Sequence, residues 1–457
     1  MVKYRWQIAL LGLAIAVRAA AVLVLQSHHV PNSTYEHGTI AENLLAGKGF
    51  STRFLGVDGP TSQQAPVYPY IVAVAYAIGG VGTPKALLIL ELGQALLGGF
   101  LVAGVLALGR EIAPHRLWIG RGAAFVAAVH PTLIYATTHV QVVSLATCVL
   151  IWTLALAYRS GRTQRLSDAI ATGLALAILA LTDPILALVA PGLAWAVALG
   201  EGWKRAVRPV AVIGLVAAIG VAPWIARNYR IHNEFVAIKS TFGYAFWQGN
   251  CALSQGTDKV VRSSVETILN ESSGGLQAWN NSLWAARHEA GYIDDIALTP
   301  EDYRILGAVS EPERSRILYR RAKHELHAEP GRYLRLCLGR LQAFLLFDQT
   351  NPKTRSLAYR IPHLGLTVFA ALGLILMPHK LRAKLAPTIL TVILIASFHA
   401  LTIVSARFHI PIEPLMGLWG VSGLARFQKL AATAHDVIKV RVNRPQLGIA
   451  REISVTR

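Results

Sequence analysis

Glu36 lies in Tyr35-Glu36-His37-Gly38, directly ahead of a stretch in which Ile40, Ala41, Leu44 and Leu45 recur at helical spacing and Gly47 supplies a stop. A carboxylate just before the N-terminus of a short amphipathic helix is favoured by the helix dipole, and the same group could take a proton from an attacking hydroxyl or amine. Both readings stay open, and Tyr35 and His37 beside it join the candidate substrate contacts. A second set of residues is cationic. It comprises Arg407 in Ala406-Arg407-Phe408-His409-Ile410-Pro411, Arg227 and Arg230 in Ala226-Arg227-Asn228-Tyr229-Arg230, then Lys239 and Arg340. A guanidinium fork can pair two phosphate oxygens. The alternative is a long cation reaching from apolar surface to water, which suits Arg230 and Lys239 better than Arg407.

Other polar residues are less specific. Tyr68, in Ala65-Pro66-Val67-Tyr68-Pro69-Tyr70, belongs to a stiff aromatic corner that is either an interfacial anchor or a substrate contact. His139, in Thr138-His139-Val140-Gln141, is a polar turn residue or a site residue. Asp183, in Leu181-Thr182-Asp183-Pro184, either caps the following helix or faces a cavity. Trp247 and Asn250, in Trp247-Gln248-Gly249-Asn250, could stack on and hydrogen-bond to a sugar, or serve a small core. The three cysteines, Cys148, Cys251 and Cys337, have no metal-ligand spacing and imply no disulfide framework.

The elements that must position these groups are membrane-spanning. Of 457 residues 53% are hydrophobic and 15% charged, with a mean hydropathy of +0.44. A soluble chain carries roughly a quarter charged residues. Apolar blocks run over 6–26, 84–108, 119–135, 140–158, 168–182, 184–199, 207–225, 363–377, 387–404 and 411–424, about ten helices, with a shorter surface-lying or re-entrant segment at 67–78. The net charge of +19 does not point to nucleic acid, because many of the basic residues occupy short loops between apolar blocks. Those short basic loops place both termini in the cytoplasm and two long segments, 27–65 and 227–359, on the outer face. The domain division read from this is an N-terminal transmembrane module 1–226 with its first outer loop 27–83, an extracytoplasmic domain 227–359, C-terminal helices 360–425 and a basic cytoplasmic tail 426–457 near anionic lipid.

The order of these features resembles a known family. An acid ahead of Ile40-Ala41-Glu42-Asn43-Leu44-Leu45-Ala46-Gly47-Lys48-Gly49-Phe50-Ser51 is followed by the Pro-x-Tyr-Pro corner and the helix with Gln94-Ala95-Leu96-Leu97-Gly98. Ala222-Pro223-Trp224-Ile225-Ala226-Arg227-Asn228-Tyr229 and Ala406-Arg407-Phe408-His409-Ile410-Pro411-Ile412-Glu413-Pro414 come later. No single motif is specific, but their order is similar to that of GT-C superfamily glycosyltransferases, in the family 39-like group with dolichyl-phosphate-mannose protein mannosyltransferases and aminoarabinose transferases. The resemblance implies an all-α polytopic bundle of about ten transmembrane helices, surface-lying helices in the first outer loop and a small extracytoplasmic domain. It also implies that Glu36 stands at the position of the catalytic or metal-proximal carboxylate, and Arg407 at that of an arginine before the last helix. Where many members have Asp, this chain has Glu36. Where members often carry an acid between the third and fourth helices, it has Thr138-His139-Val140-Gln141, which weakens the case for a divalent cation; no cofactor is required, and a cation is left open.

The expected function is transfer of a sugar from a polyprenyl-phosphate donor to a lipid, glycan or protein acceptor at the outer face of an inner (plasma) membrane, by direct displacement with inversion. A lipid-linked sugar transporter or flippase is the rival class, although such proteins usually show internal repeats and polar groups at mid-membrane. An O-antigen polymerase or ligase using the same carrier is a third reading.

Overall fold

The computed structural model describes residues 5–260, 262–270 and 274–427, so nearly all of the basic tail expected to lie near lipid falls outside the described residues. Each of the ten expected apolar blocks forms a helix: Arg5–Leu25, Pro84–Ile112, Leu117–Val129, Val143–Thr163, Leu166–Thr182, Ala190–Glu201, Trp203–His232, Leu357–Leu376, His379–Leu401 and Glu413–Gly423. Among the described residues, seven helical stretches are long and apolar enough to cross a membrane. Large apolar side chains such as Leu96, Phe100, Phe125, Leu174, Leu215, Ile219, Leu372 and Ile393 stand exposed along them. That is the surface expected where the surrounding solvent is lipid.

Small residues set the packing. Gly109 of Pro84–Ile112 lies against Gly120 of Leu117–Val129, and Gly373 lies against Gly423 near the C-terminal end. Without side chains at these crossings the helix backbones approach closely, and dispersion then replaces the hydrophobic effect that lipid does not supply. The helix Leu117–Val129 stops where Pro131 forces His130 into an extended conformation (φ −65°, ψ 121°). Its orphaned last-turn carbonyls are taken by a buried cation, since Arg18 donates to Ala127 O at 2.9 Å and Ala128 O at 2.8 Å. The block expected as one helix over 119–135 is therefore two helices with a sharp joint.

The first long segment contains the expected surface helix, Tyr35–Leu45, and the short apolar helix Val67–Gly79. Glu36 sits in the first turn of Tyr35–Leu45, one residue further in than the sequence pattern placed it. Between the two helices a hairpin, Ser51–Phe54 paired with Val57–Pro60, turns at Leu55 and Gly56, both with positive φ (48° and 85°). Two consecutive positive-φ residues are what a tight two-residue hairpin turn needs. Leu55 accepts that backbone because its side chain is buried with Phe54, Trp247, Ile293, Leu298, Leu306 and Leu318 in a core shared by both long segments.

The second long segment is helical, with Phe242–Asn250, Leu276–Glu289, Glu311–Ala328 and Pro330–Leu345 as its larger pieces. The helix before it continues to His232, so the expected division at residue 226 falls inside a helix. Glu311, at the start of Glu311–Ala328, ties the segments together. Its carboxylate accepts from Thr61 Oγ1 at 2.6 Å, Ser62 N at 2.8 Å and Ser240 Oγ at 2.5 Å.

Gly109→Val tests the packing rule, because a Cβ at residue 109 would overlap Gly120 Cα, whereas Gly93 on the same helix has open space around it. Overpacking of this kind costs about 1–3 kcal/mol. Thermal unfolding in detergent should show a clear loss for Gly109→Val and almost none for Gly93→Val. Equal stability of the two variants would contradict the crossing.

Candidate active site

Glu36 is held by unusual local geometry. Tyr35, directly before it, has φ 48°, a conformation costly for a bulky side chain. The Tyr35 ring stacks on Trp284 (centroids 6.5 Å apart), and the Arg287 guanidinium lies over its face at 4.9 Å. These aromatic contacts anchor the strained residue and leave Glu36 half-buried at the helix start. His37, on its other side, packs edge-on against Tyr68 with centroids 5.0 Å apart. Burial, helped by Lys239 and Arg407, pushes the His37 imidazole down to about 3, so it is a neutral hydrogen-bonding group at physiological pH.

Cations stand near the residues that flank this carboxylate. Arg287 covers the Tyr35 ring, and Arg407 is among the charges that bear on Tyr35, His37 and Lys239. Lys239 donates to Gln64 Oε1 at 3.1 Å, and burial lowers its ammonium against the pull of Asp183. Asp183 accepts from Ile185 N at 3.2 Å and is also acted on by Lys239 and Arg407. Asp183 thus caps the Pro184–Val189 turn, one of the two readings its position before Pro184 allowed. Arg407 itself lines a small pocket with Arg287, Lys353, His139, Gln141 and Tyr135. His139 stacks on Trp284 with centroids 4.8 Å apart and sits 3.1 Å from Tyr135 O through Nδ1; burial, followed by Arg287 and Lys353, holds its imidazole neutral.

Several expected site residues serve the scaffold instead. Arg340 is fully buried, and its guanidinium donates to Ala400 O (2.7 Å), Gly249 O (2.8 Å) and Asn250 Oδ1 (3.1 Å), which leaves no fork for a phosphate. Asn250, also fully buried, donates to Phe246 O and Thr402 O. Trp247 belongs to the core shared by the two long segments, away from any sugar-stacking surface. Tyr68 donates to Gln94 Oε1 at 3.2 Å, and Gln94 in turn reaches the carbonyls of Thr137 and His139. Tyr68 therefore positions the His139 turn from within the core. Arg227 is spent on the first loop, donating to Thr61 O at 2.5 Å and Phe50 O at 2.8 Å while lying over the Trp224 ring. Backbone carbonyls, invisible as partners in a sequence, account for the reassignment of Arg340, Asn250 and Arg227.

Three residues that sequence pattern did not single out complete the cavity. Arg287 is presented by Leu276–Glu289, whose Asn280 is buried and donates to Leu25 O and Ser27 Oγ, both at 3.0 Å. With its carboxamide oxygen turned to the guanidinium, Gln141 accepts from Arg287 at 3.1 and 2.8 Å. Lys353 is presented by a capped turn, in which Asn351 Oδ1 accepts from Lys353 N. Asp348 accepts from Ala406 N at 3.1 Å and so fixes the backbone next to Arg407. The Asp348-Gln349-Thr350-Asn351-Pro352 run was a turn signal available in the sequence.

Glu36 does not belong to a metal-ligand cluster. Among the described residues, the grouping of three histidine, cysteine or carboxylate side chains close enough to share an ion is His363, His409 and Glu413. The groups acting with Glu36 on its neighbours include the cations Arg287 and Arg407, which disfavour a divalent ion there.

No protein-family model matches the sequence, and no curated protein matches it. Solved structures do resemble the fold. The oligosaccharyltransferase of Archaeoglobus fulgidus in its apo form superposes with a TM-score of 0.54 at 15% identity, covering 98% of this chain and 53% of that one. The same organism's oligosaccharyltransferase AglB, in complex with an inhibitory peptide and a dolichol-phosphate, gives 0.53 at 13% identity with the same coverage of 98% and 53%. This chain thus spans about half the length of those proteins. ArnT from Cupriavidus metallidurans bound to undecaprenyl phosphate superposes more loosely, with a TM-score of 0.41 at 14% identity over 97% of this chain and 81% of that one, and the assignment does not rest on it. On the oligosaccharyltransferase likeness, and on the helical bundle with its two interlocked long segments, the chain is a polytopic membrane protein with the GT-C fold.

Proposed function

We propose that the protein is a membrane glycosyltransferase that moves a sugar from a polyprenyl-phosphate carrier to an acceptor at the non-cytoplasmic face of the membrane. The observation that carries this reading is the pocket lined by Arg407, Arg287 and Lys353, with Arg287 also lying over the ring of Tyr35, the residue directly before the half-buried carboxylate of Glu36. The oligosaccharyltransferase with this fold was solved with a dolichol-phosphate, and a lipid phosphate at this chain's cationic cavity extends that parallel. An excess of cations suits an anionic leaving group, and the lone carboxylate suits a base.

In this mechanism the acceptor hydroxyl or amine attacks the anomeric carbon and yields its proton to Glu36. The bond from that carbon to the phosphate oxygen breaks, and the electron pair leaves with the polyprenyl phosphate. Arg407, Arg287 and Lys353 balance the charge that builds on the departing phosphate, in a site where the donors are fixed before reaction. Nucleophile and leaving group lie on opposite faces of the sugar, so the configuration inverts. His139 and His37 remain as neutral groups for sugar hydroxyls.

Incubation of purified protein with labelled polyprenyl-phosphate pentoses and hexoses reads the reaction directly. Loss of label from the lipid to an acceptor or to water is expected, with Glu36→Gln slower by about 10²–10⁴-fold in kcat. Carrier binding without cleavage would point to a transporter, and full activity of Glu36→Gln would remove Glu36 from the role of base.

The pH dependence follows from Lys353. Burial, with Arg287 as the next cause, brings its ammonium down to about 8. Its cation is present below that value and is lost as pH rises through it, until bound phosphate stabilises the charged form. Affinity for polyprenyl phosphate, measured by calorimetry, should weaken between about pH 7 and pH 9, and Lys353→Arg should retain more of it because arginine stays charged. A flat wild-type profile would exclude Lys353 from the phosphate site.

A further inference from the structure

Behind the Arg407 segment lies a second cluster that the proposed reaction does not use. Glu413, at the start of the last described helix, faces three histidines from different parts of the chain. His363 Nδ1 is 3.4 Å and His409 Nδ1 3.2 Å from Glu413 Oε1, while His130 Nε2 is 3.5 Å from Oε2. Side-chain exposure is 1%, 1%, 7% and 0% for His363, His409, His130 and Glu413. We propose that His363, His409 and Glu413 bind a divalent transition-metal ion of the zinc class, with His130 as the fourth ligand.

Spacing is the first argument. Ligand atoms about 2.0–2.1 Å from a tetrahedral ion lie about 3.4 Å from one another. The separations of 3.2 and 3.4 Å from Glu413 Oε1 to His409 and His363 match those edges, the ligand atoms of these three residues all fall within 4.8 Å of one another, and His130 Nε2 approaches the second carboxylate oxygen, Oε2, at 3.5 Å.

Hydrogen bonding is the second. His363 Nε2 lies 3.3 Å from Leu345 O, a carbonyl that can only accept, so the proton of a neutral ring belongs on Nε2. Its Nδ1 then presents a lone pair to a carboxylate oxygen that is also an acceptor. His409 Nε2 lies 2.6 Å from the Tyr359 hydroxyl, which can accept its proton as well as donate, and Nδ1 is turned to Glu413. His130 Nε2, His409 Nδ1 and Glu413 Oε2 are buried without hydrogen-bond partners. Acceptors that converge in a dry site are stabilised by a cation between them, and the Leu345 carbonyl and Tyr359 hydroxyl are the outer partners that orient metal-bound imidazoles. Imidazole and carboxylate together suit zinc, cobalt or nickel rather than calcium or magnesium.

Such an ion would join the joint at His130, the helix Leu357–Leu376 and the Arg407–Ile412 turn. That fixes Arg407 through His409, two residues along the chain. Its role is structural, since the set is closed by protein ligands.

The test uses full-length protein in detergent, tag removed, treated with chelator and titrated with Co(II). One equivalent should bind, with the intense visible absorption of tetrahedral cobalt, and Zn(II) should bleach it. Metal analysis of untreated protein should return about one zinc per chain. His363→Ala and His409→Ala should each abolish the cobalt spectrum. The milder His130→Gln should weaken and shift it, which keeps the test usable if an alanine variant does not fold. Wild-type protein that takes up neither cobalt nor zinc would overturn the site, as would a cobalt spectrum unchanged in the histidine variants. None of these readouts involves sugar transfer, so they stand or fall apart from the function proposed above.

Discussion

The segment from Thr402 to Ile412 has to place Arg407 at the end of a helical bundle with only turn-type backbone hydrogen bonds of its own, such as Phe408 N to Ser405 O and Ile410 N to Arg407 O. An irregular strand of chain at that depth is tolerated only where other parts of the protein satisfy its polar groups. Here the partners are identifiable. Asp348 accepts from Ala406 N, Gly256 O accepts from Val404 N, and Arg340 takes the Ala400 carbonyl at the end of the preceding helix. Asn250 donates to Thr402 O and accepts from Arg340. Removing any of these leaves an unpaired buried group worth about 1–3 kcal/mol. The second long segment therefore supplies the frame on which Arg407 is mounted, in addition to covering the cavity.

Glu36 is mounted differently. Its helix is anchored by aromatic stacking on Trp284 and by the packing of His37 on Tyr68, with the positive φ of Tyr35 setting the direction of the turn. Trp284 also stacks on His139, so one side chain from the second long segment aligns the first loop and the turn between two membrane helices. Leu276–Glu289, the helix that also presents Arg287, thus packs against both the Tyr35 turn and the His139 turn.

The bundle was legible in the sequence because apolar length and short basic loops are one-dimensional signals. Glu36 and Arg407, on which the proposed function rests, each stand next to a recognisable start signal: Ile40 and Gly47 in one case, Pro411 in the other. Arg340 and Asn250 misled because a guanidinium or carboxamide looks the same in sequence whether it meets a ligand or a backbone carbonyl. Arg227 misled for that reason too. Arg287 was hidden among many exposed arginines of the same segment, and nothing local marks it. The hairpin at Leu55-Gly56 went unseen because leucine is a poor residue for that turn, and only the distant core around Trp247 makes it acceptable. The joint at His130-Pro131 could have been read from the proline, but the apolar run through it masked the break.

The central claim is that lipid phosphate and Glu36 share one cavity edge. A cryo-electron microscopy structure of the protein with a bound polyprenyl phosphate tests it most directly. The account predicts phosphate oxygens within hydrogen-bonding distance of the Arg407 guanidinium, with Arg287 or Lys353 on the same group and Glu36 facing the space where the sugar would lie. Phosphate held on another surface, with Arg407 still directed at protein or water, would contradict it.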